Sequence, residues 1–224
     1  SYHGKLKPSI AHWLISEFTK EGDVILDPLC GVGTIPFEAC LQGRVGVGND
    51  LSELAYVVTK AKLEKPNRSG VEDIICQLDE YIKKNKSSHS ATEYENFGFN
   101  GKLPQYFESE TYKEILCARE FFLNRFSTIS AEEAMAFSAL LHVLHGNRPY
   151  ALSRRSHPLT PYAPTGEFEY KSVIEKVTQK VDSNYRKLNQ EDITKGYALY
   201  GDYKKLVTKN IKADFIICSP PFAN

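Results

Sequence analysis

Apolar residues fall into two rhythms along this chain. Short runs bounded by polar or turn residues occur at 24–27, 44–50, 196–200 and 214–218, the pattern of strands buried within a sheet. Elsewhere apolar positions return every three or four residues, which predicts helices at 35–41, 52–64, 71–84, 112–126, 131–144 and 169–188. The 71–84 helix carries Val71, Ile74, Ile75, Leu78 and Ile82 on its apolar stripe. Ser130 and Glu133 have the spacing of a capping box ahead of 131–144. Lys65-Pro66 ends the 52–64 helix, and Pro36 stands in the first turn of 35–41, where proline is tolerated. A helix near the N-terminus holds Ile10, Trp13, Leu14 and Phe18, with Trp13 read as helix-face core.

These elements predict an α/β chain with a doubly wound, Rossmann-like sheet. The order strand, helix, strand, long helical stretch, strand, strand divides it into 1–66, a mostly helical insertion over 67–190, and a return to the sheet over 191–224. Within the insertion, 85–101 is polar and rich in Ser, Asn and Gly, and reads as a loop. Residues 145–164 lose all period and become Pro-rich and basic with interleaved tyrosines.

Composition narrows the class only a little. The chain is 42% hydrophobic and 25% charged, as in ordinary globular proteins. Twenty-eight basic residues balance 28 acidic ones, which excludes a broadly basic nucleic-acid binder. The distribution is uneven, however: no acid lies between Glu133 and Glu167, while Arg148, Arg154, Arg155, His142, His145 and His157 do. Such a stripe can meet phosphates, or it can be a proline-stiffened surface loop. Five cysteines without metal-ligand spacing read as reduced thiols of a cytoplasmic protein that needs no metal.

The chemistry lies at the two ends. After the first strand come Asp27-Pro28-Leu29-Cys30-Gly31-Val32-Gly33-Thr34, and the second strand closes on Asp50-Leu51. Strand, glycine turn, helix, strand and acid is a nucleotide-binding pattern. The third glycine of the dinucleotide fingerprint is missing, since Pro36 and Phe37 occupy its place. The Asp27 carboxylate at the mouth of the turn repels a pyrophosphate and attracts a cation, which fits S-adenosylmethionine. At the other end, Asp214 to Cys218 run into Ser219-Pro220-Pro221-Phe222. Two prolines stop the strand and leave carbonyls that no sheet partner can satisfy, beside an aromatic face. That is a rigid acceptor platform for a planar ring bearing an amine.

Together these stretches resemble the S-adenosylmethionine-dependent amino-methyltransferases of nucleic acids (the cytosine-N4 and adenine-N6 family). The 27–34 segment resembles the cofactor motif and Ser219-Pro220-Pro221-Phe222 the catalytic motif. The segment containing Lys5 and Leu6 resembles the one that closes over the cofactor's methionine end, and Tyr200-Gly201-Asp202 resembles the strand end near the adenine. The resemblance implies a cofactor site of Lys5, Leu6, Asp27, Pro28, Cys30, Gly31, Gly33, Thr34, Asp50, Leu51 and Asp202. Asp202 is equally readable as a plain turn acid. The implied catalytic set is Ser219, Pro220, Pro221 and Phe222, acting on a base flipped out of duplex DNA. Ser at the first motif position is most typical of cytosine N4, with adenine N6 as the alternative. Arg148, Arg154 and Arg155 are the candidate nucleic-acid contacts.

Two further readings stay open. The 27–39 segment also resembles the cofactor turn of tRNA guanine-N2 methyltransferases, although those carry Asn or Asp where Ser219 stands. A non-catalytic partner subunit would keep the fold and only bind. In the family, further strands follow the catalytic loop; the expectation is that a remaining segment or a partner subunit supplies them.

Overall fold

The four apolar runs form four parallel strands. The computed structural model describes residues 6–95, 102–143, 168–187, 192–209 and 211–220, with backbone alone at 207–209. Strands β1 (Val24–Asp27), β2 (Val45–Asp50), β3 (Tyr197–Tyr200) and β4 (Phe215–Ile216) lie in the order β3-β2-β1-β4. β1 pairs with β2 from Val24 opposite Val45 to Asp27 opposite Gly48. On its other side it pairs with β4, Ile25 opposite Phe215 and Leu26 opposite Ile216. The chain thus runs outward from β1 to β3 and returns on the far side of β1. In a doubly wound sheet that reversal opens a crevice at the carboxyl ends of the two strands it separates. The Rossmann-like α/β class expected from the sequence is the class observed.

Helices α1 (Pro8–Phe18), α2 (Thr34–Leu41) and α3 (Glu53–Leu63) belong to the same unit as the sheet. Ala11 and Ile15 of α1, Ile25 of β1, and Ile35 and Ala39 of α2 make one buried cluster, against which Leu6 and Ile217 pack. A side chain at Gly46 would collide with the Pro36 backbone, so this glycine lets α2 lie directly on β2. Ser52 caps α3, its Oγ accepting from the Ala55 N–H at 3.4 Å.

Trp13 is not core. It is 56% exposed, edge-on to Phe18 with ring centroids 5.9 Å apart. The buried side of α1 is set by Ala11 and Ile15, and Trp13 stands about 200° around the helix from either.

The chain divides into two units, the first Ser1–Arg68, Ser130–Ser138 and Asn184–Asn224, the second Ser69–Ile129 and Ala139–Ser183. The second is helical, drawing on α4 (Arg68–Asn85), α5 (Ser109–Leu123), α6 (Ala131–Val143) and α7 (Val173–Lys187). The Ser130 capping box forms, with Ser130 N–H donating to Glu133 at 2.8 Å and Glu133 N–H to Ser130 Oγ at 3.1 Å. α5 starts three residues earlier than expected because the Glu108 carboxylate accepts from the N–H groups of Glu110 and Thr111, both at 2.9 Å. α7 starts four residues later than expected. Thr111 Oγ1 holds the Lys171 backbone out of helical geometry, and buried Glu114 takes the Val173 N–H at 3.0 Å and the Tyr170 hydroxyl at 2.7 Å. Among the described residues, no helix is long and apolar enough to cross a membrane.

Candidate active site

The turn after β1 is held from beneath. Gly31 and Gly33 take φ of 53° and 72°, the left-handed region that favours glycine. A Cβ on Gly33 would also lie 2.7 Å from Thr59 Oγ1. The turn's carbonyls are satisfied by α3 and by the turn itself. Thr59 Oγ1 donates to Gly31 O at 3.1 Å, Lys62 Nζ to Val32 O at 2.6 Å, and Gly33 N–H to Cys30 O at 2.9 Å. Cys30 is packed under the turn, its thiol 3.7 Å from Thr59 Oγ1, and burial pushes that thiol up to about 12. Thr34 opens α2 and is half-buried.

Asp50 closes the turn from the side. One carboxylate oxygen accepts the Gly31 N–H at 2.9 Å, the other the Ser52 N–H at 2.8 Å. A carboxylate has about four acceptor positions, so two remain for hydroxyls. The next residue, Leu51, is 66% exposed. Its neighbour on the other side, Asn49, is fully buried and was not anticipated from the sequence. Asn49 Nδ2 donates to Pro28 O and to Gly201 O, both at 3.0 Å, and its own carbonyl accepts the Cys30 N–H at 2.9 Å. Asp202 spends its contacts locally: Oδ1 accepts the Lys204 N–H at 3.0 Å and its carbonyl the Lys205 N–H at 2.9 Å, starting the short 3-10 helix Tyr203–Lys209. Those contacts are the ones the plain turn reading describes.

Asp27 is the electrostatic centre of the crevice. It is only 3% exposed. Burial is the main influence on its carboxyl, which is pushed up to about 6; the Leu29 N–H and the Cys218 thiol oppose that rise, and the Asp50 charge adds to it. The Leu29 N–H lies 3.2 Å from Oδ1. Among the described residues, none of the groups acting on Asp27 is a cation. A buried carboxylate with no positive partner, beside a second carboxylate and a glycine turn, fits a ligand that brings its own ammonium group and no phosphate.

Cys218 belongs to the other half of the site, so its influence on Asp27 joins the two ends of the sequence. Ile217 N–H donates to Leu26 O at 3.1 Å, and Ser219 and Pro220 follow, both exposed, from the strand end next to Asp27 and Pro28. The glycine turn and the Ser219-Pro220 step therefore leave the same rim of the sheet. Leu6 packs on the cluster that also takes Ile217. Lys5, Pro221, Phe222, Arg148, Arg154 and Arg155 lie outside the described residues. In the helical unit, a groove of about 740 Å³ is lined by Glu95, Glu108, Phe107, Tyr112 and Phe168 among others, with no basic residue in its lining. Such a lining does not suit a phosphate.

The comparisons with known proteins agree with the turn's geometry. Residues 1–100 match the family model described as UPF0020, RMKL-like, methyltransferase domain. The chain is also 26% identical over 77 residues to Type II methyltransferase M.MjaII of Methanocaldococcus jannaschii. That stretch covers 34% of this chain and 14% of that protein. No solved structure matches the chain. The first 100 residues, which hold the glycine turn, Asp27 and Asp50, are thus similar to a methyltransferase domain.

Proposed function

We propose that this chain binds S-adenosylmethionine at the β1 turn and presents an exocyclic amine of a nucleic-acid base at the β4 loop, most readily cytosine N4 of DNA. The observation that carries the reading is the adjacency of β1 and β4, with Cys218 acting on Asp27 across the seam. When bound, the cofactor supplies an electrophilic methyl group on a sulfonium. Asp27 and Asp50 would hold its ammonium and ribose hydroxyls, and Leu51 its adenine face. Asp202 and the Lys5-Leu6 segment enter by resemblance.

The chain's own part in the chemistry is orientation. An amine conjugated to a base is a poor nucleophile because its lone pair is delocalised. Ser219 Oγ and the Pro220 carbonyl accept its two N–H groups, drawing the nitrogen toward a tetrahedral shape and aiming the lone pair. Neither acceptor has to move during reaction, which is how fixed dipoles lower a barrier. Once nitrogen has gained its methyl group it sheds one proton to water through the Ser219 hydroxyl, which gives up its own proton as it takes the amine's. Phe222 stacks on the base, and Pro221 stiffens the loop that carries it.

DNA is favoured by the serine at position 219 and by the similarity to a Type II methyltransferase. An RNA guanine-N2 substrate is the second reading, because the RMKL-like family also includes RNA methyltransferases. Mass spectrometry of nucleosides after incubation of duplex DNA or tRNA with labelled cofactor separates them. N4-methylcytosine from DNA supports the first reading and N2-methylguanosine from tRNA replaces it. Label in neither, from a protein that binds cofactor, points to a binding subunit.

A further inference from the structure

Asn49 carries a polar amide at a buried position of β2. It is fully buried, and its neighbours on the strand are Gly48 and Asp50. Both N–H bonds of Nδ2 are committed to main-chain carbonyls of different loops, Pro28 after β1 and Gly201 after β3. Its Oδ1 is buried with no hydrogen-bond partner. An unpaired buried acceptor is costly, and a hydrocarbon of similar shape would avoid that cost while taking the donor away from both carbonyls. Nothing about Oδ1 accounts for an amide here.

The two carbonyls do. Pro28 begins the turn that holds Asp27 and Gly31; Gly201 precedes Asp202 and donates its N–H to Asp50 O at 3.0 Å. The amide nitrogen therefore sets the distance across β2 between the rim that takes the cofactor's methionine end and the rim that takes its adenosine end. We propose that Asn49 is a positioning residue for cofactor binding, bracing these two loops against each other. This rests on the cofactor reading above and adds to it a residue that touches neither substrate nor cofactor.

Aspartate at this position gives a diagnostic. It keeps the shape but turns two donors into acceptors facing two carbonyls, and recovers one donor only when protonated. The test is calorimetric titration of wild type, Asn49→Asp and Asn49→Ala with S-adenosylhomocysteine from pH 5.5 to 8, alongside ligand-free melting. At pH 8 both variants should bind at least about tenfold more weakly than wild type. The Asp variant's deficit should shrink to about threefold at pH 5.5 as its carboxyl takes up a proton, while the Ala variant's deficit stays constant. At saturating cofactor, methyl transfer by the Ala variant should keep its kcat within about twofold and show the loss in KM.

Folded variants that bind as wild type at pH 8, or an Asp variant whose deficit ignores pH, overturn the brace and leave the cofactor site standing. Wild type that fails to bind at every pH overturns the site and the brace together. A lowered melting temperature with unchanged affinity assigns Asn49 to the fold alone and also overturns the proposal.

Discussion

The two rims of this site are built to different standards. The turn after β1 is fastened by Thr59, Lys62, Asn49 and Asp50, each bonded to its backbone, and leads directly into α2. The loop after β4 follows a strand of only two residues, both exposed, and carries Ser219 and Pro220 into solvent. Among the described residues, one rim is held on several sides and the other is exposed. A small cofactor of fixed shape gains from a preformed cradle, because little has to be ordered on binding. A base delivered by a macromolecule needs an accessible edge. The difference is in keeping with the proposal above, in which the first rim binds and the second presents acceptors, and each part of that proposal can be broken separately.

Asp27 offers the largest break. Asp27→Ala should weaken cofactor binding by about 100-fold or more, since it removes the one buried carboxylate that a cationic ligand would neutralise; titration calorimetry checks this. Stability should move the other way. The native carboxyl titrates at about 6, above the unfolded value of about 4, so the native state holds the proton more tightly. The fold is then least burdened below pH 4, and it loses on the order of 3 kcal/mol as pH rises through 6 and Asp27 ionises. Asp27→Asn should accordingly melt higher than wild type at pH 8 and show no gain at pH 4. For the wild type, affinity for an ammonium-bearing cofactor should be full above pH 6 and decline below it.

Ser219 breaks the other rim. Ser219→Ala should leave cofactor affinity unchanged and lower kcat by about 30-fold, the cost of one oriented acceptor. Single-turnover transfer at saturating cofactor measures it. An equal fall in affinity would mean that the two rims are not independent.

Gly33→Ala sharpens the contrast without touching chemistry. It forces an L-residue to φ of 72° and brings a methyl group onto Thr59. About 2 kcal/mol of stability should be lost, read by denaturant unfolding, and cofactor affinity should fall with it because the preformed cradle is what shifts.

Much of this was legible from residues whose physical demands are strict. Apolar runs ending in Asp27 and Asp50 marked two strand ends, and the pair Gly31 and Gly33 marked the turn. Where demands are loose, reading failed. Trp13 is as apolar as a core residue, but Ala11 and Ile15 decide which side of α1 is buried. The start of α7 depends on Thr111 and Glu114, which are distant in sequence and invisible to periodicity. Asn49 gave one faint signal, a polar residue inside a buried strand. Its partners are carbonyls, which every residue possesses, so no motif could have named them.

The smallest expected effect tests why the second rim is exposed. β4 is tied to β1 by its two-residue pairing and by Asp214, whose carboxylate accepts the Val24 N–H at 2.8 Å and whose N–H donates to Val24 O at 2.9 Å. Asp214→Ala keeps the main-chain bond and removes the side-chain one. The Val24 N–H then turns to water at this exposed position, so the loss should be about 1 kcal/mol. Hydrogen exchange should show it as faster exchange at 215–217 with β1 and β2 unchanged. Transfer should slow by a few-fold through misplacement of Ser219, and cofactor affinity should hold. If β1 and β2 loosened as well, the seam between β1 and β4 would be part of one rigid body, and the division into a held rim and an exposed one would not stand.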